Sequence, residues 1–209
     1  MDYTNDCQET ANFDKTKEII IEYIEKNLNE RRLKHTYSVV REAVKLAEHY
    51  GADVKKAELA ALFHDMYRST PAAVLNMYIR QLGLPKNIMD NPNLSHGKIA
   101  AVIMKKDYGI EDEDILNAVA YHTTGRAGMS LLEKVIFLAD AIEEGRNYPT
   151  VDETRKLAYV DINKACISSL ERTVEYIKGI GEYLDPDTIN AINDLKENLN
   201  ELWNLKNWL

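Results

Sequence analysis

Two cysteines, Cys7 and Cys166, are all that 209 residues offer, too few and too isolated for a disulfide framework or a thiolate metal site. Their scarcity fits a reducing cytosol. No run of uncharged apolar residues approaches the roughly 20 needed to cross a bilayer. The opening stretch MDYTNDCQETANFDK has neither the basic nor the apolar region of an export signal. A soluble, cytoplasmic protein without a membrane partner is expected. Cations are in the minority, 26 Lys and Arg against 34 Asp and Glu for a net charge of -8, which argues against a general footprint for nucleic acid or anionic lipid. A small anionic substrate would need a local cluster of cations or a metal. Strand-like alternation, internal repeats, low-complexity tracts and long linkers are also missing. At this length one domain around one core is the default.

What is present is helical. From Asp14 onward apolar residues recur with the 3.6-residue period, which predicts helices over 14–28, 32–50, 53–64, 71–82, 95–107, 112–122, 130–142, 151–178 with a break, and 186–206. Gly51-Ala52-Asp53, Gly83-Leu84-Pro85, Asn91-Pro92-Asn93, Gly109, Gly125 to Gly128, Gly145 and Asp185-Pro186 punctuate them. The fold class is therefore all-α, a single helical domain over 14–209. Residues 1–13, polar and without a period, read as a flexible N-terminal arm. The final LNELWNLKNWL groups Leu199, Leu202, Trp203 and Leu205, which either close over their own core or form the seam of a homodimer.

With five histidines in the chain, each can be tested for the helix face it occupies. His49 shares a wet face with Arg41, Glu42, Lys45 and Glu48 and is set aside. His35 continues the stripe Val39, Ala43 and Leu46, so its imidazole points toward the core. His64 closes the series Ala57, Ala60, Ala61, and His122 closes Ile115, Ala118, Val119. His96, after Ser95 as the expected N-cap, opens the stripe Ile99, Ala100, Ile103. Asp140 lies on the face of Leu132, Ile136 and Ala139, and Asp65 directly follows His64. A buried aspartate without a partner is costly, so something should neutralise both. One inward histidine is ordinarily a satisfied core residue. Four of them with two inward aspartates call for a common cause, a shared metal site. Imidazole and carboxylate suit iron, manganese, cobalt or zinc. Six ligands exceed what one tetrahedral ion takes, so two ions are expected, with Asp65 as the candidate bridge beside a shared hydroxide.

The order His35, His64-Asp65, Asp140 on helices resembles the HD phosphohydrolase superfamily. His96 in SHGKIAA, with AYHTTGR, MSLLEK and LADAIEEGR in this order, is similar to its YqeK-like branch, the symmetrical dinucleoside tetraphosphate hydrolases. The resemblance runs over about residues 16–195. It implies a pair of divalent ions, iron foremost, on His35, His64, Asp65, His96, His122 and Asp140, and cleavage of diadenosine tetraphosphate to two ADP. His64, Asp65 and Arg68 are the candidate catalytic residues. The pattern breaks at Met66-Tyr67-Arg68-Ser69, where relatives read Tyr or Ile, Ala, Lys and Asp. Arginine presents a planar fork in place of a point charge. That break leaves a nucleoside monophosphate or guanosine polyphosphate as alternative substrates, and a non-catalytic nucleotide or metal sensor as an alternative function.

A polyphosphate also needs cations beyond the metals. Arg126 lies four residues past His122 and Arg146 six past Asp140, each placed to fork onto a phosphate, as Arg68 is three past Asp65. Thr123, Thr124 and Gly97 complete the expected substrate-binding set, the threonines as hydrogen-bond donors and the glycine by close backbone approach. Glu143 is placed to hold a ligand imidazole or pair with an arginine.

Overall fold

The computed structural model describes the backbone of residues 3–206 and the side chains of residues 13–200. Ten α-helices and one short 3-10 turn make up the described residues, and no strand occurs among them. In chain order they are α1 (Tyr3–Asn27), α2 (Glu30–Tyr50), α3 (Val54–Phe63), α4 (Ala72–Leu82), α5 (Pro92–Tyr108), α6 (Glu113–Ala120), α7 (Leu131–Ile142), α8 (Val151–Ala158), α9 (Ile162–Ile180) and α10 (Pro186–Lys206). The 3-10 turn is Lys86–Ile88, ahead of α5.

Local chemistry sets most of these boundaries. Asn29, Asp53, Asn91, Asp112, Ser130 and Asp161 each accept a hydrogen bond from a backbone N–H in the first turn of the helix that follows. Ser130 and Glu133 form a reciprocal capping box at the start of α7. The break expected inside 151–178 is the turn at Tyr159–Asp161 between α8 and α9. Two boundaries differ from the sequence reading. Helix α5 begins at Pro92 and is capped by Asn91, not Ser95, because a proline at the first helical position needs no N–H partner. The supposed arm is helical from Tyr3, continuous with α1, since no proline or glycine between Tyr3 and Asn27 interrupts the helix. The side chains of Leu202, Trp203 and Leu205 lie outside the described residues, while Leu199 packs against the core.

Helix α7 is the axis of the fold and packs against α2, α3, α6, α8 and α9. Its sequence LLEKVIFLADAI is apolar on nearly every face, and Leu132, Val135, Ile136, Phe137, Leu138, Ala139 and Ile142 are all buried. A helix of that kind is stable only when surrounded. Helices α2 and α3 pack on one side, and α5 pairs with α6 on another. The core contributed by Val39, Ala43, Leu46, Leu59, Phe63, Ile99, Met104 and Ile115 joins these layers. As a result the ends of α3, α6 and α7 and the first two turns of α2 and α5 meet at one place.

Candidate metal centre

His35 comes to that place from α2, His64 from the residue capping α3, and Asp65 from the turn after it. His96 belongs to the second turn of α5, His122 to the turn after α6, and Asp140 to α7. All six expected residues converge, as two triads: His35, His64 and Asp140, then Asp65, His96 and His122. The ligand atoms in each lie within 4.8 Å of one another. His35 Nε2 is 3.1 Å from Asp140 Oδ1, and His96 Nε2 is 3.1 Å from Asp65 Oδ1. The other oxygen of Asp65, Oδ2, is 3.5 Å from His35 Nε2 and 3.8 Å from His64 Nε2. One carboxylate thus faces both triads.

The imidazoles are fixed from behind. His64 Nδ1 lies 2.6 Å from the Ala61 carbonyl, His96 Nδ1 2.7 Å from that of Pro92, and His122 Nδ1 2.7 Å from that of Val119. A carbonyl only accepts, so each Nδ1 carries the proton and each Nε2 presents a lone pair inward. The Nε2 atoms of His96 and His122 are 3.0 Å apart, and those of His35 and His64 3.4 Å. Two lone pairs at such a distance repel unless a cation lies between them. Nitrogen and carboxylate donors, all turned to one point with no thiolate among them, fit a divalent metal ion.

The electrostatics agree. Burial pushes the pKa of His64 down and that of His122 to about 3, so neutral pH leaves both as free bases. Burial would also lower His35, but the hydrogen bond and charge of Asp140 outweigh it and raise the group. Burial opposes ionisation of Asp65 and Asp140 as well. In the acid range, where the imidazoles take up protons, His64 and His96 around Asp65, and His35 and Arg146 around Asp140, overcome it, and both carboxyls sit below the usual carboxylate range.

Above the triads a cleft of about 180 Å³ is lined by Arg32, Arg68, Asn93, Thr123 and Arg146 as well as Asp65, His96, His122 and Asp140. Arg68 and Arg146, both expected near the ligands, line this cleft. Arg68 donates to Asn93, and burial lowers its pKa. Arg146 holds Asp140 through its carboxylate and its main-chain carbonyl, the latter at 2.7 Å. The Thr123 hydroxyl is 3.2 Å from His122 Nε2.

Other expected residues are not at the cleft. Arg126 is committed to the buried Glu133, with Nε 2.7 Å and Nη2 2.6 Å from the two carboxylate oxygens. The loop after Thr124 turns it toward the start of α7, where it neutralises the capping-box acid. Thr124 is buried and bonds the Gly125 carbonyl at 2.9 Å, so its hydroxyl secures the loop. Gly97 does not line this cleft. A Cβ there would meet the Val119 carbonyl at 2.7 Å and His122 Cε1 at 2.9 Å, so the missing side chain lets α5 and α6 close on each other and brings His96 to His122.

Three functional neighbours escaped the sequence reading. Arg32 Nη1 donates to Asp65 Oδ2 at 2.8 Å. It precedes His35 by one helical turn on α2, a spacing that could have pointed to it. Asn93, one turn before His96, carries the same signal. Arg155 donates to the carbonyls of Ile142, Glu143 and Arg146 at 2.8 to 2.9 Å and thereby shapes the loop after α7. That loop places Glu143 Oε1 3.1 Å from His35 Nδ1, as the sequence reading allowed.

Comparison with known proteins gives a consistent result. The HD domain model matches residues 32–145. The chain is 43% identical over 171 residues to the symmetrical bis(5'-nucleosyl)-tetraphosphatase of Bacillus subtilis, covering 81% of this chain and 92% of that protein. It is 38% identical to the Staphylococcus aureus protein of the same name, over 87% of this chain and 93% of the other. Among solved structures it is similar to a predicted HD superfamily hydrolase involved in NAD metabolism from Clostridium acetobutylicum. The TM-score is 0.82 and the identity 41%, covering 87% of this chain and 97% of that one.

Proposed function

The chain belongs to the HD-domain family of metal-dependent phosphohydrolases, and from that premise we propose that it cleaves diadenosine tetraphosphate symmetrically into two molecules of ADP. One observation carries the reading. Two ligand triads joined by Asp65 form the floor of a cleft whose walls hold Arg32, Arg68 and Arg146. In the proposed assignment His35, His64 and Asp140 hold one divalent ion, and His96 and His122 hold the other. Asp65, whose two oxygens face the two triads, would serve both ions. Iron is the proposed metal, and manganese, cobalt and zinc accept the same donors.

When bound, the ions supply Lewis-acid neutralisation of phosphoryl oxygens and a water of lowered pKa. The chain's own side chains do the rest. Arg32 orients Asp65 through its hydrogen bond to Oδ2. Glu143 holds the His35 ring from behind. Arg68 and Arg146 meet the charge on the non-bridging oxygens, and the Thr123 hydroxyl offers a further donor beside His122. Phosphoryl transfer needs little covalent help from a protein beyond this positioning and charge neutralisation.

The test couples elemental analysis to a product assay on diadenosine tetraphosphate. Wild type should retain divalent metal and release ADP alone. Asp65→Ala should lose metal and at least about 100-fold in kcat/KM, the scale of removing one electrostatic anchor. Release of AMP, pyrophosphate or ATP without ADP would sink the proposed substrate.

A further inference from the structure

A second cavity, of about 200 Å³, adjoins the cleft. It shares His122, Thr123, Asp140 and Arg146 with it and adds Tyr148, Ser169, Arg172 and Thr173. Nothing in the reading so far uses Arg172. Its guanidinium carbon lies 3.7 Å from the centroid of the Tyr148 ring, a stacking that fixes the plane of the fork. Its Nε is buried with no hydrogen-bond partner, and so is the Tyr148 hydroxyl. Among the described residues no carboxylate lies within ion-pairing distance of Arg172. By contrast Arg32, Arg126, Arg146 and Arg155 are each paired with an acid. A buried donor left without an acceptor is costly, and two side by side in a cavity next to the proposed metal centre mark a place built for an acceptor-rich ligand.

The cavity's polarity identifies the ligand. The only acid lining it is Asp140, already engaged by Arg146. Thr123, Tyr148, Ser169 and Thr173 line it beside Arg146 and Arg172, the Thr173 hydroxyl donating to the Ser169 carbonyl. Two cations among hydroxyl-bearing side chains suit a phosphate group and suit nothing cationic. The direction is also set. Thr123 and Thr173 continue into a larger cavity of about 410 Å³, mostly apolar where Tyr176, Ile177, Ile180 and Tyr183 line it at and beyond the end of α9, with Asp90, Glu182 and Asp185 also on its walls.

We propose that Arg172, stacked on Tyr148, binds the phosphate that lies beyond the one at the metal centre, on the side of the substrate leading to its nucleoside. The inference rests on the polyphosphate reading above and adds a substrate-binding residue to it.

The test is calorimetric binding of ADP and of adenosine to metal-loaded wild type, Arg172→Gln, Arg172→Lys and Tyr148→Phe, beside diadenosine tetraphosphate kinetics. Losing a charge-assisted contact should raise the Kd for ADP about 10-fold or more in Arg172→Gln and leave adenosine unchanged. KM should rise with kcat little altered. Arg172→Lys, which keeps charge without the fork, should recover part of the loss. Tyr148→Phe keeps the ring and should show a smaller rise, which serves if Arg172→Gln does not fold. Arg172→Gln binding ADP within twofold of wild type while wild type hydrolyses diadenosine tetraphosphate would overturn this proposal and leave the substrate reading standing. Weakened ADP binding in the variant, with no hydrolysis by wild type, would do the reverse. Equal losses for ADP and adenosine would show a packing role only.

Discussion

At Gly97 a single hydrogen atom decides whether two imidazoles meet. The Val119 carbonyl that a Cβ would strike at 2.7 Å is the same oxygen that holds His122 Nδ1. Backbone cannot swing aside as a long side chain can. Gly97→Ala should therefore push the end of α6 outward and cost about 1–3 kcal/mol as an overpacked site. It should also lower bound metal by loosening the triad of His122. Unchanged metal content and an unchanged melting temperature in the alanine variant would refute this. The same scale explains which residues were legible. The six expected ligands come together because His35, His96 and Asp140 continue the apolar faces of their helices, while His64, Asp65 and His122 stand where α3 and α6 end, both local patterns. Arg155 left no periodic mark, because its partners are three main-chain carbonyls, and Arg32, bonded to a carboxylate 33 residues away, left only its place one turn before His35. Arg126 was misplaced for a related reason: the loop after His122 returns it to Glu133, and proximity in sequence to a ligand did not become proximity in space.

Among the elements, the connection from α7 to α8 carries the most. Arg155, on α8, places a cation on the C-terminal carbonyls of α7, where the helix dipole favours it, and binds the Arg146 carbonyl as well. Through that one side chain the loop presents Glu143 to His35 and Arg146 to Asp140. Arg155→Met should destabilise the protein by about 2–3 kcal/mol, the worth of charge-assisted bonds to buried carbonyls. Because the loop is displaced, it should also raise KM for the nucleotide substrate. A melting curve and steady-state kinetics check the two effects, and a variant with wild-type KM would show that Arg155 acts on stability alone. Helix existence was readable from the apolar period throughout. Helix starts were less so: Asn91-Pro92-Asn93 looked like a connection but begins α5, since the same proline that breaks a helix interior is at home in a first turn.

For the whole molecule, the centre ties folding to acid and metal. His122, with a pKa near 3 in the fold against an ordinary value of 6.5, binds fewer protons folded than unfolded throughout that interval. Stability from keeping it neutral is thus complete above the ordinary value and declines as pH falls toward 3. Metal-free protein should melt at progressively lower temperature between pH 7 and pH 4. A divalent ion at about 100 times its Kd should add about 2.7 kcal/mol, or about 5–10 °C, at pH 7, and lose that benefit on acidification. Calorimetry with and without chelator tests both, and a chelator-insensitive melting temperature would count against the metal site. No helix among the described residues is long and apolar enough to cross a membrane. The burial of α7 sets the time scale on which the core yields. Surrounded by five other helices from Leu132 to Ile142, it has no exposed face through which to open alone. The helix that carries Asp140 should therefore exchange its amide hydrogens only on global unfolding, whereas the loop beyond it, where Arg146 is half-buried, should open without the core giving way.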